Sequence, residues 1–191
     1  MKKENGRFAL KLGAAICLAL FASNSVSQAC TNKVGAVLPT SVDWGRPIAE
    51  TAQFVVEQVN ESGGVSGCKI EMILRDTQVD PKVGVDAAKA LVDLDGVQLL
   101  LGAVSSGVSM PILTSVSVPS KVMQMSCCSS STAFSKLAED GKTKGLWYRT
   151  FATTGVQSAV GAKVAKDRGF KTVAILYKND DWGQDLNRLI T

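Results

Sequence analysis

No histidine occurs among the 191 residues of this chain. That absence removes Ser-His-Asp arrangements, histidine general bases and most zinc-site types from consideration. Charge of one sign is also in short supply: the formal net charge is +4, and Lys2, Lys3, Arg7 and Lys11 against Glu4 account for most of it. The remainder is close to neutral, which gives no reason to expect nucleic acid or an acidic partner. Cys127-Cys128 has no second cysteine pair at zinc spacing, and Gly102-x-x-x-x-Gly107 is followed by Val108 where a P-loop would carry Lys-Ser or Lys-Thr. No metal and no cofactor is therefore expected. Internal repeats at a solenoid period and low-complexity linkers are missing too.

The uninterrupted apolar run from Leu12 to Ala22 is too short to cross a bilayer, and it lies between a basic segment and the small-x-small triplet Ser27-Gln28-Ala29. Residues 1–29 read as a secretory signal peptide, and the mature protein is expected in the periplasm. Cleavage after Ala29 would leave Cys30 first, which opens lipid anchoring as an alternative. Ser27 stands where the bacterial lipoprotein pattern prefers Leu, so a freely soluble exported protein is the favoured reading. Cys30 and Cys68 each precede a strand candidate, so parallel pairing of those strands would bring both thiols to one sheet edge; a bridge between them and two free thiols both stay open.

Strand and helix signals alternate. Lys33–Leu38 reads as a strand stopped by Pro39, and residues 47–62 as a helix with Ile48, Ala52, Val55, Val56 and Val59 at three-and-four spacing. A strand over Ile70–Leu74 and a helix over Pro81–Leu94 follow. The third strand, Gln98–Leu101, is a Leu run bounded by Gly96 and Gly102, which suits burial on both faces. A short helix around Met110–Val116, Pro119 and a fourth strand Val122–Met125 complete a unit. The fold class is α/β, with a parallel sheet, right-handed crossovers and helices on both faces. Past the crossover Trp147–Phe151, a helix carries Val156, Val160 and Val164, a strand is expected over Thr172–Tyr177, and a last helix opens after Asp180. These pieces cannot bury their apolar faces alone, so the chain is expected to be the front portion of a longer protein.

Chemistry-bearing residues sit in the turns. Ser105-Ser106 follows strand three and Ser129-Ser130-Ser131 follows strand four; in an open α/β sheet such carboxyl-end turns are where ligands bind. Hydroxyls and free backbone N–H groups without a Lys or Arg suit a carboxylate better than a polyphosphate. Helix capping is the competing role for each serine. Trp44 and Trp182 each stand beside a glycine in a turn that opens a helix, where an indole can stack on a ligand or pack at the core edge. Asp180-Asp181 reads as a pair of solvated loop carboxylates, and Trp147 as a residue packing on the crossover.

Taken together, Lys33–Pro39, Asn60–Gly67, Asp80-Pro81, Gly102–Ser106, Val173–Tyr177 and Asp181-Trp182-Gly183 resemble the leucine/isoleucine/valine-binding family. These are substrate-binding proteins of ABC transporters for branched-chain amino acids and related amides. The resemblance implies a type I periplasmic binding fold, two doubly wound lobes that close on ligand. Lobe one would run over residues 30–151, and residues 152–191 would begin a truncated lobe two. It further implies that Ser106 and Ser130 hold the carboxylate and amino groups of an amino acid, with backbone at Cys128, while Trp44 and Trp182 line the pocket. A membrane permease of the transporter would be the partner, with no catalysis. Two departures stand out. Cys127-Cys128 replaces the usual Pro and Ala, and the acidic residue that receives the ligand's ammonium group would come from later in lobe two, so the chain as given is expected to bind weakly or not at all. A ligand-sensing receptor domain and an exported hydrolase using Cys127 or Cys128 as nucleophile are the alternatives; the latter lacks a histidine base.

Overall fold

The computed structural model describes residues 30–191, and the signal-peptide reading of residues 1–29 lies outside them. Five strands form one sheet: β1 (Thr31–Leu38), β2 (Lys69–Asp76), β3 (Leu99–Gly102), β4 (Met123–Ser126) and β5 (Trp147–Arg149), in the order β2-β1-β3-β4-β5. Every pair is parallel. The helices between them are α1 (Arg46–Glu61), α2 (Pro81–Asp93), α3 (Ser106–Ile112), which runs through a π-helical Leu113–Ser117 into α4 (Val118–Ser120), and α5 (Ala133–Glu139); α6 (Thr154–Asp167) and α7 (Asp181–Ile190) follow the sheet. No helix among the described residues is long and apolar enough to cross a membrane.

Alternation along the central strands divides the core between two faces. Val37 and Leu100 point to one side and join Ala88 and Leu91 of α2 and Val108 and Ile112 of α3. Ala36 and Leu38 point to the other and meet Ala49 of α1, with Leu101 and Met72 partly buried beside them. Helices thus cover both faces. Gly102 ends β3 at φ +121°, and a Cβ there would lie 2.2 Å from the Val37 carbonyl oxygen, so only glycine lets the strand turn against β1. Cys30 and Cys68 stand immediately before the first register pair, Thr31 with Lys69, and both are disulfide-bonded.

Three sequence expectations need correcting. Trp147 is on a fifth strand rather than a crossover: Gln124 pairs with it in parallel, and its ring stacks on Phe134 with centroids 4.1 Å apart. The third helix begins at Ser106, well before Met110, and Pro119 stands at the start of the short α4, a first-turn position where a proline's missing N–H is tolerated. Residues 172–177 are not a strand. No ladder partner faces them among the described residues, and Leu176 is fully exposed. The apolar face expected to stay uncovered is the exposed one: Val156, Val160 and Val164 of α6 point outward, while its small and polar side turns toward α7 with Thr154 and Ser158 buried.

Candidate functional site

The strand order reverses between β1 and β3, so the chain leaves these neighbours on opposite faces, and the carboxyl ends at such a switch point are where an open α/β sheet binds its ligand. The Trp44 turn follows β1 and the Ser105 turn follows β3. Gly45 makes the first of these possible, since a Cβ there would lie 1.9 Å from the Pro39 carbonyl oxygen. The Asp76 carboxylate at the end of β2 accepts from the Thr40 amide at 3.0 Å and the Gln78 amide at 2.9 Å. Burial opposes its ionisation, yet these amides and Ser41 hold its pKa below the ordinary value.

Serine hydroxyls tie the turns after β3 and β4 together. The Ala103 carbonyl accepts from Ser109 at 3.0 Å, Ser126 at 2.6 Å and Ser129 at 3.2 Å. Ser109 and Ser129 also share a hydrogen bond of 2.7 Å, and the Ser131 amide donates to Ser106 Oγ at 3.2 Å. Below this network Gln124 is fully buried and satisfied, donating to the Gly102 carbonyl and accepting from Ser117. A buried network with every member paired fixes one arrangement of the two turns.

The candidate residues divide by what their polar atoms already do. Ser131 Oγ accepts from the Ala133 amide, a capping role, and Ser106 Oγ is buried and engaged by Ser131. Ser105 occupies the position before α3 without making a side-chain cap. Among the described residues the hydroxyls of Ser105 and Ser130 have no hydrogen-bond partner, although Ser130 is 1% exposed. The Cys128 amide is spent on Ser126 Oγ at 3.2 Å. Trp44 is 53% exposed with its indole face open, and Trp182 is 37% exposed and donates to Gln157 at 3.3 Å.

Trp182 is linked to the serine turns through Asp180. A Cβ on Gly107 would lie 2.9 Å from Asp180 Cβ, so the loop before α7 reaches the start of α3. The loop carboxylates are not solvated as a pair: Asp180 accepts from the Trp182 and Gly183 amides as the cap of α7 and pairs with Lys178 at 2.9 Å. Burial, and then the neighbouring Asp180, raises the pKa of Asp181. A cleft of about 450 Å³ beside this loop is lined by Ser131, Tyr177, Asn179, Asp181 and Arg188.

Two functional supports escaped the sequence reading. Arg149 at the end of β5 donates to the Ser131 carbonyl at 2.8 Å and to Ser135 Oγ at 2.5 Å, placing a cation under a turn that contains none. Asp185 of α7 accepts from the Thr132 amide and hydroxyl at 2.7 Å each, from Arg188 at 2.5 Å and from the Thr154 hydroxyl. Burial alone would raise its pKa, but these donors bring it down to about 2. The only sequence signal for Arg149 was the alternating Trp147-Tyr148-Arg149; Asp185 carried none.

Cys127 and Cys128 are both half-buried. Burial, with the Cys128 thiol beside it, pushes the Cys127 pKa up to about 12, which is the wrong direction for a nucleophile.

Residues 33–191 match the profile of the periplasmic binding proteins. The chain belongs to this family. Its members are binding proteins rather than enzymes. A relative from Pseudomonas aeruginosa, a leucine-, isoleucine-, valine-, threonine- and alanine-binding protein, is 30% identical over 97% of the chain and 48% of its own length. The Leu/Ile/Val-binding protein BraC3 of Rhizobium johnstonii is 31% identical over 80% of the chain and 41% of its own length. The chain thus spans about half the length of these relatives. Among solved structures, a leucine-binding protein of Thermotoga maritima superposes with a TM-score of 0.70 at 23% identity, over 83% of this chain and 44% of that one. A periplasmic binding protein of Burkholderia mallei gives 0.71 at 19% identity, over 85% and 42%. The α/β fold with its five-stranded parallel sheet is the fold these family members share over that part of their length.

Proposed function

We propose that this chain carries the ligand-gripping lobe of an extracytoplasmic solute-binding protein that captures a branched-chain amino acid or a small amide for the permease of an ABC importer. Residues 30–151 form that lobe in this reading, and residues 152–191 begin a second one. The observation that carries it is the contrast within the serine turns: Ser106, Ser109, Ser126, Ser129 and Ser131 are engaged within the protein, whereas the Ser105 and Ser130 hydroxyls are not. Two unspent hydroxyls on turns locked together at the sheet's switch point can donate to the oxygens of one carboxylate. The amino-acid names of the Pseudomonas and Rhizobium relatives support the same class. Trp44 offers an apolar face for the side chain.

Calorimetric titration of the leucine, isoleucine, valine and small-amide panel into the protein as produced by its native host tests this reading. Micromolar or tighter binding by one member is expected. Ser130→Ala should weaken it about tenfold, the loss of roughly one hydrogen bond to a charged acceptor. Heatless titrations across the whole panel would overturn the proposal.

A further inference from the structure

We propose that Cys127 and Cys128 are a reversible thiol–disulfide modification site, closing into a vicinal disulfide by exchange with an external disulfide. The Sγ atoms are 2.8 Å apart, about 0.8 Å beyond the length of a disulfide bond. Both thiols are half-buried, so a small disulfide can reach them. The turn that carries them is held from outside the pair: the Cys128 and Ser129 amides donate to Ser126 Oγ at 3.2 and 3.0 Å. Ser126 and Ser129 in turn donate to Ala103, so the backbone carrying the two sulfurs is anchored independently of them. The family is periplasmic by its description, a compartment in which disulfides persist, and Cys30 and Cys68 are already disulfide-bonded. Adjacent Cα atoms are about 3.8 Å apart, below the usual span of roughly 4.4 Å or more for bridged cysteines, which places such a bond in the readily reduced class. This inference concerns the chemistry of the turn and does not depend on which solute the crevice takes.

The exchange balances in two steps. Cys128 thiolate attacks one sulfur of the external disulfide, the old S–S bond breaks, and the leaving thiolate takes up a proton. Cys127 then loses its proton, its sulfur attacks that of Cys128, and the second external thiolate departs and is protonated. Two cysteine thiols give up two electrons and two protons, and one external disulfide becomes two thiols. Burial and the neighbouring Cys128 thiol both disfavour the Cys127 thiolate, so Cys127 is assigned the second, intramolecular attack. With Cys127 already in place, the second step is intramolecular and outruns a second encounter.

The full chain, incubated with oxidised and reduced glutathione at graded ratios, acid-quenched, alkylated and digested, gives the test by mass spectrometry. The peptide holding both cysteines should lose two hydrogens, carry neither alkyl label nor glutathione, and recover two labels after dithiothreitol. Cys127→Ser should accumulate glutathione on Cys128 at least about tenfold above the unsubstituted chain, because the resolving thiol is gone. Two alkyl labels at every ratio, a persistent glutathione adduct on the unsubstituted peptide, or a link between two copies of the chain would each overturn the proposal.

Discussion

The two halves of this structure spell nearly the same local message and fold it differently. Val34–Leu38 and Val173–Tyr177 are both short apolar runs, each followed by an Asp-Trp-Gly turn and a helix. The turns agree closely: a Cβ on Gly45 or on Gly183 would lie 1.9 Å from a preceding carbonyl oxygen, that of Pro39 or of Lys178. Yet the first run is a central strand, paired to β2 and β3, while the second pairs with nothing among the described residues. Among the described residues, all the buried apolar side chains lie between Ala36 and Phe134; α6 and α7 bury Thr154, Ser158 and Asp185 instead. Turn chemistry is local and survives without neighbours, but a strand needs a partner on its edge and a core on its faces.

The largest expected effect is on the sheet half. If Cys30 is bonded to Cys68, the bridge closes a loop of roughly 40 residues and contributes about 4 kcal/mol by restricting the unfolded chain. Cys68→Ser should lower the urea midpoint accordingly, and a non-reduced peptide map should return Cys30 and Cys68 on one cross-linked fragment. An unchanged midpoint would show that the sheet edge is held by its ladder alone.

Next comes the core. Leu100 is fully buried between α2 and α3, and Leu100→Ala should cost about 3 kcal/mol in the same assay, from lost transfer energy and the cavity left behind. A loss below about 1 kcal/mol would mean that this half is as loosely packed as the tail.

Asp185 tests what fastens the second half to the first. Its folded pKa, about 2, lies below the ordinary 3.8, so its stabilisation is fully present above the higher value and fades as pH falls toward the lower. Asp185→Asn should therefore cost about 2 kcal/mol at neutral pH. The gap between variant and unsubstituted chain should shrink as pH falls through that window. A gap independent of pH would assign the loss to packing rather than to the carboxylate.

How much of this was legible beforehand follows the same division. The third strand could be read from a Leu run bounded by Gly96 and Gly102, the fourth from the apolar run after Pro119, and the parallel pairing and the turns carrying Ser105 and Ser130 from their alternation with helices, because their neighbours lie within the chain. β5 was missed since Trp147-Tyr148-Arg149 is only three residues long, too short for an alternation to declare itself. The serine turns were placed correctly, but which hydroxyls were spent depended on Ala103, a carbonyl with no sequence signature. Val156, Val160 and Val164 were read as an apolar face that this stretch could not bury alone, and all three are exposed, because burial belongs to whichever side meets a partner.

The smallest expected effect addresses that valine stripe. Val160 is 58% exposed at the middle of α6, and surface substitutions away from special features stay within about 0.5 kcal/mol. Val160→Thr should leave the urea midpoint of this chain within that range at every protein concentration, because most of the side chain already faces water. A destabilisation above about 1 kcal/mol, or one that appears only as concentration rises, would mean the stripe is covered in solution by a second copy of the chain. The contrast between a buried first half and an open second half would then belong to the isolated chain and not to its assembled state.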